Sequence, residues 1–207
     1  MMSSISLAIL LSTASSVIGH GMVLDPPGRA TAWRYGFRTP VNYDDNGLNC
    51  GGVGRQWARN GGKCGLCGEP YDTSIPRRYE YNGRDYRGVI VATYLPGSPF
   101  QTTTRLTAYH KGFWEFRLCT NHRNNTQECF NQHILELKSG GPRYYPKKGS
   151  TTYYVKYKLP ALTCDHCVLQ WRYVAGNSWG RCPDGRGRLG CGPQEEFRGC
   201  SDIAILP

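Results

Sequence analysis

The hydrophobic and polar positions of this chain fall into three regimes. The first is one apolar run, LAILL at 7–11, with polar residues before it and the small-residue stretch TASSVIG after it. The second, 20–85, is rich in Gly, Pro, Asn and Arg and shows little periodicity, so it reads as shaped loops with one short helix near 53–60. The third regime is different in kind. The segments 89–95 (VIVATYL), 102–109 (TTTRLTAY), 113–119 (FWEFRLC), 133–138 (HILELK), 151–159 (TTYYVKYKL), 168–174 (VLQWRYV) and 202–206 (DIAIL) are β-branched or aromatic, and several alternate apolar with polar. Each is bounded by Gly, Pro or Asn, which marks it as a strand. Strands of this length joined by turns predict an all-β fold, an antiparallel immunoglobulin/fibronectin-III-like β-sandwich with long pinned loops and little helix. No internal repeat and no low-complexity linker divides the chain, and its 207 residues suit a single domain.

The apolar run at the start changes the picture of where the protein works. It is too short to span a bilayer, and small residues follow it, which is the pattern of a secretory leader. A cut after Gly19 makes 1–19 the signal peptide and 20–207 the mature domain, with His20 as its first residue. A secreted protein without a membrane anchor is then expected, and a monomer. The ten cysteines all lie beyond that cut, and an even number in a secreted chain predicts up to five disulfides whose pairing one sequence does not give. Zinc is the rival, since Cys64-x-x-Cys67 and Cys164-x-x-Cys167 look like two halves of a ribbon, but they stand too far apart for one.

The net charge of +10 raises nucleic acid as a partner, yet the basic residues are scattered along the chain and a secreted protein rarely meets one. The charge reads as solvated surface, and no nucleic-acid partner is expected. Asn124-Asn125-Thr126 is a glycosylation sequon and fits a surface loop.

Candidate chemistry centres on His20. At a chain terminus one histidine offers two nitrogens, the free α-amine and imidazole Nδ1, that can chelate a single metal ion. The amine has an ordinary pKa of about 7.7–8.0, so a metal displaces its proton near neutrality. A third nitrogen from a second histidine completes a planar set that suits copper. His110 is the best source: it ends a predicted strand just before the Lys111-Gly112 turn. His122, in a predicted loop, and His133, which opens a strand, are rivals for that place; the bland reading for both, and for His166 between Cys164 and Cys167, is exposed or structural. The bland alternative for His20 is an incidental histidine beside a cleavage site.

Four stretches together make the chain recognisable: HGMVLDPPGRA at 20–30, Asn49-Cys50-Gly51-Gly52 followed by GKCGLCG at 62–68, Thr107-Ala108-Tyr109-His110, and NSWGRCPDGRGRLGCGPQEEFRGCSDIAI at 177–205. In these the chain resembles the lytic polysaccharide monooxygenases of auxiliary-activity family 15, the invertebrate type, over almost the whole mature length. The resemblance implies that one copper ion is held by His20 and His110. It implies that Phe197 lies on the axial side of the copper, Ala108 over the opposite side shaping access, and Glu195 nearby as a polar group able to steer a bound oxygen species. It also implies oxidation at C1 or C4 of a crystalline polysaccharide, chitin favoured and cellulose possible, with an external electron donor and hydrogen peroxide or dioxygen. Trp33, Tyr35 and Tyr109 are candidate substrate-binding aromatics, whereas Trp57, Trp114, Trp171 and Trp179 read as core or disulfide-packing residues. The competing readings are a non-catalytic extracellular chitin-binding or structural protein, and a copper-binding protein without oxidation chemistry.

Overall fold

The alternation in TYYVKYK is realised as strand β5, Thr152–Lys158, where Tyr153, Val155 and Tyr157 are buried and Tyr154, Lys156 and Lys158 are exposed. The same period runs along β3, Pro99–Ala108, which buries Phe100, Thr102, Thr104 and Leu106. With β1, His20–Asp25, these strands form an antiparallel sheet in the order β1-β3-β5. This computed structural model describes residues 20–207; the proposed leader at 1–19 lies outside the described residues.

The second sheet contains β2 (Ala92–Tyr94), β4 (Phe113–Cys119), β6 (Cys164–Val174) and β9 (Glu196–Ile205), in the order β2-β9-β6-β4. Its inner face supplies Trp114, Phe116, Leu169, Trp171, Tyr173, Phe197 and Ile203 to a core shared with Leu106, Val155 and Tyr157 of the first sheet. Its outer face is charged and still buried. Glu115 of β4 stands opposite Arg172 of β6, which stands opposite Arg198 of β9. Arg172 bridges Glu196 at 2.8 Å and Glu115 at 3.3 Å, and Arg198 donates to Gln127 at 2.7 Å. Pairing offsets the cost of burying these charges. Gln127 belongs to α1, Gln127–Gln132, which covers this face and is capped by Thr126 Oγ1 accepting from Cys129 N at 3.1 Å.

Several elements differ from the sequence expectation. The pair β2–β9 is parallel, so the sandwich is not wholly antiparallel. Residues 133–138 form no continuous strand. Leu118 and Leu135 N–H groups bond to His133 and Phe116 on the β4 side, whereas Lys138 and Lys158 N–H groups bond to Lys156 and Glu136 on the β5 side. The segment crosses from one sheet to the other, and its alternation serves two partners in turn. The expected helix near 53–60 is a single π-helical turn, Arg55–Arg59. A short hairpin, β7 (Trp179–Arg181) and β8 (Gly187–Leu189), follows β6. No described helix is long and apolar enough to cross a membrane.

All ten cysteines are paired: Cys50–Cys64, Cys67–Cys200, Cys119–Cys129, Cys164–Cys167 and Cys182–Cys191. The zinc alternative fails here, because Cys64 and Cys67 bond to different partners. Cys67–Cys200, whose ends are separated by 133 positions in sequence, ties the long loop region to β9; closing so large a loop stabilises by about 4–5 kcal/mol on the chain-entropy model. The same join is reinforced by Arg29, whose guanidinium grips buried Asp202 at 2.6 and 2.7 Å.

Candidate metal centre

Strand pairing brings His20 and His110 to one end of the molecule. β1 starts where antiparallel β3 ends, so His20 lies opposite Ala108, two residues before His110. The neighbouring loop fixes this start: Asn46 accepts from Gly21 N at 3.0 Å through its carbonyl, and its amide donates to Thr107 Oγ1 at 3.1 Å. Thr107 in turn donates to the His20 carbonyl at 3.4 Å.

His110 is 4% exposed and rigidly mounted. Lys111 and Gly112 both take positive φ, 56° and 72°, turning the chain so tightly that a Cβ on Gly112 would lie 2.0 Å from the Val174 carbonyl oxygen. The His110 carbonyl accepts from Gly176 N at 2.8 Å, and Tyr173 Oη donates to the Lys111 carbonyl at 2.7 Å. The ring itself is held by the Asn177 side-chain amide, 2.5 Å from Nδ1. The atom facing Nδ1 is the amide nitrogen, Nδ2; the amide turned over presents its oxygen instead, and in that arrangement Nδ1–H is the donor and Nε2 carries the lone pair. Desolvation by burial lowers the His110 pKa below the ordinary histidine value; Glu195 and Asn177 oppose that shift, and the charge of His20 adds to it. A neutral imidazole is the form a metal requires.

This donor set fits copper. Two histidines close enough to feel each other's charge stand at one strand end, one of them buried and fixed by an outer hydrogen-bond partner. Among the described residues, the compact group of three His, Cys, Asp or Glu side chains is Cys50, Cys64 and Glu196, and its sulfurs are consumed in a disulfide.

Glu195 stands near His110 and is held by Asn49, whose amide donates to Oε1 at 3.0 Å. Ala108 is half-buried beside His20. Phe197 is fully buried opposite Tyr173, ring centroids 5.9 Å apart and 28° between planes, so packing in the core accounts for its contacts. Tyr109 is half-buried and interacts with Tyr153 and Tyr173. Trp33 packs edge-on against Tyr43 at 5.5 Å, in the loop that leads to Asn46. Tyr35 is 52% exposed but feels Asp25, at the end of β1 remote from His20; five residues of strand are about 17 Å. The structure therefore does not bring Tyr35 to the two histidines.

Two of the four tryptophans expected to pack in the core or against disulfides are outside the core. Trp179 is 72% exposed and Trp57 is 42% exposed, whereas Trp114 and Trp171 are core residues as expected. Trp57 Nε1 donates to the Gln194 carbonyl at 2.9 Å, next to Glu195, and Trp179 follows Asn177 by two residues, so both flank the histidine end. Asn46, Asn49 and Asn177 were missed. Only the long-range fold brings them to the site, and a lone asparagine carries no sequence signal.

The family description that matches residues 20–203 is lytic polysaccharide mono-oxygenase, cellulose-degrading. The solved structure of the lytic polysaccharide monooxygenase AA15 from Thermobia domestica in the Cu(I) state is 48% identical, with a TM-score of 0.87, and the match covers 90% of this chain and 98% of that one. A chitin binding domain from Burkholderia pseudomallei shares the fold at 12% identity and a TM-score of 0.53, covering 91% of this chain and 100% of that domain. No curated protein matches the chain.

Proposed function

The chain belongs to the lytic polysaccharide mono-oxygenases, and we propose that it holds its copper with His20 and His110 after removal of a leader at 1–19. It is a copper-dependent polysaccharide monooxygenase, an enzyme that uses an external reductant and dioxygen or hydrogen peroxide. The observation that carries the site assignment is the register of β1 on β3, which sets His20 beside the strand end that bears buried His110. The family match begins at residue 20, which supports the cut after Gly19.

In this reading the free amine and ring of His20 and Nε2 of His110 are the ligands. Bound copper supplies one-electron oxidation chemistry toward a sugar carbon at C1 or C4. The chain's own residues do the rest. Asn177 fixes the His110 ring and its tautomer. Asn46 and Thr107 anchor the backbone of His20 so that its terminus projects from a strand end. Ala108, having only a methyl group, leaves space for a small oxidant, and Glu195, oriented by Asn49, is a carboxylate placed to accept or return a proton. Phe197 offers no ligand atom and closes the core behind the site.

The substrate we propose is a crystalline polysaccharide, chitin first and cellulose second, gripped by exposed aromatics near the histidine end. Trp57 and Trp179 join Tyr109 and Trp33 as candidates, and Tyr35, at the remote end of β1, would reach only a long chain segment. Secretion as a monomer, with a glycan on exposed Asn124, completes the reading. The test is product release from chitin and cellulose in parallel, with ascorbate. Oxidised oligosaccharides, lost in His20→Ala and His110→Ala, are expected. Equal release by those variants would refute the site.

A further inference from the structure

The fold divides the positive charge of this chain by residue type. Most arginines stand within ion-pairing distance of Asp or Glu, several of them buried. Among the described residues no lysine does. Five of the seven lysines lie within 138–158, and all five are exposed: Lys138, Lys147, Lys148, Lys156 and Lys158. Residues 133–158 hold these and Arg143 against one acidic side chain, Glu136, so this stretch carries half of the formal +10.

The stretch forms one side wall of the sandwich. Its Leu135 and Tyr144 N–H groups bond to Phe116 and Trp114 of edge strand β4, and Lys138 N–H bonds to Lys156 of edge strand β5. Leu137 stands opposite Tyr157 in antiparallel register, both buried. Lys138 therefore stands opposite Lys156, and Glu136 opposite Lys158, on the exposed side. Lys138 and Lys156 are about 5 Å apart across the pair, and Lys156 and Lys158 about 7 Å apart along the strand. Both spacings lie within the Debye length of about 8 Å, so the ammonium groups repel one another. Like charges directly opposite destabilise a sheet. Edge protection accounts for Lys138, which is outermost. It does not account for Lys156 and Lys158, whose strand is already covered by β3 on one side and 136–138 on the other. A polyanion relieves this repulsion.

Tyr154 shares the outward row of β5 with Lys156 and Lys158, and Tyr145 precedes Lys147 by two residues; the two rings are 67% and 61% exposed. The wall thus sets aromatic faces beside point charges that lack the forked geometry of arginine, which suits sugar rings whose anionic groups vary in position. It begins at the histidine end, where Tyr144 pairs with Trp114, four residues after His110.

We propose that this wall binds an anionic polysaccharide, a sugar chain bearing sulfate or carboxylate groups, and so holds the protein on acidic material beside the uncharged polymer it oxidises. The choice of a polysaccharide over a nucleic acid or a lipid surface rests on the proposed function; the charge geometry does not.

The experiment is binding of the full chain beginning at His20, kept metal-free, to heparin, with uncharged dextran as the blank and DNA and phosphatidylserine vesicles as rival polyanions, from about 50 to about 200 mM salt. Wild type should bind heparin more tightly than either rival and should not bind dextran. The triple variant Lys138→Gln, Lys156→Gln, Lys158→Gln should bind heparin at least ten-fold more weakly, with the slope of log affinity against log salt reduced by about 2–3. Its melting temperature should hold or rise, because repulsion has been removed, and its copper binding should be unchanged. The control Arg38→Gln, Arg123→Gln, Arg186→Gln removes the same charge from exposed positions outside the wall and should retain most of the affinity. Equal losses in the two triple variants reduce the effect to net charge and overturn the proposal, as does tighter binding to DNA or vesicles than to heparin. The assay needs no copper, so failure of the His20–His110 assignment leaves its result standing, and oxidised products from a variant that no longer binds heparin keep that assignment.

Discussion

Replacing Asn177 by Ala removes a side chain that holds the His110 ring, an amide 2.5 Å from Nδ1. The ring is 4% exposed, so water reaches it poorly and the lost partner is not simply replaced. Removing an outer partner of a ligating histidine weakens metal affinity by about 10- to 100-fold, or about 1.4–2.8 kcal/mol; the burial of His110 places the expectation in the upper half of that range. Asn177 itself is exposed, so thermal stability should change little. Asn177→Asp separates the two hydrogen-bond directions. A carboxylate can only accept, so it preserves a bond from Nδ1–H and destroys one to it. Competition titration with a copper chelator at neutral pH reads the result. Strong copper binding in Asn177→Asp with weakened binding in Asn177→Ala supports Nε2 as the ligand atom. Unchanged affinity in Asn177→Ala, or equal losses in both variants, refutes this role for Asn177.

Other expectations follow from buried charge, backbone geometry and the exposed tryptophans. Burial alone would raise the pKa values of Asp202 and Glu196, but Arg29 and His166 for the first and Arg198 and Arg172 for the second outweigh it and hold both below their ordinary values of 3.8 and 4.5. Their contribution to stability is therefore complete above those values and lost as pH falls through the lowered ones; a melting temperature that drops because of these groups already near about pH 6 contradicts the pairing. Glu69 is the opposite case: burial raises its pKa, so its contribution declines as pH rises past the ordinary carboxylate value, and Glu69→Gln should flatten that decline in a melting series. Gly112→Ala forces a side chain into positive φ against the Val174 carbonyl, which should cost about 1–3 kcal/mol in denaturant unfolding and weaken copper binding; an unaltered midpoint would show that the turn relaxes. Trp179→Ala should reduce retention on insoluble chitin without changing copper affinity, and unchanged retention would remove Trp179 from the binding face.

How much of this was legible depended on whether the information is local. The alternation in β5 and the buried run of β4 are local, and both strands stand where the pattern puts them. β1 was not seen as a strand, because HGMVLD does not alternate and its pairing is set by β3. α1 hid behind the sequon, although Thr126 as cap and Glu128 in the first turn were signals for it. The copper-ligand candidates His20 and His110 could be named because a terminal histidine and a strand-end histidine have chemical meaning alone, and the quoted motifs reinforced them. Trp179 falls on the disulfide side of its expectation rather than in the core, and only the disulfide-closed hairpin that follows β6 holds it out in solvent. The disulfide pairing was beyond reach for the same reason: Cys67 finds Cys200 only after the sheets have formed.

The central claim is that the amine of His20 and the ring of His110 bind the copper that does the chemistry. The most direct test compares the chain beginning at His20 with the same chain retaining Gly19, measuring His110-dependent copper binding and oxidised products from chitin or cellulose in one series. Tight binding and product release are expected for the first form, with both sharply reduced in the second, where the chelating amine has become an amide. Equal copper binding and equal product from the extended form would contradict it.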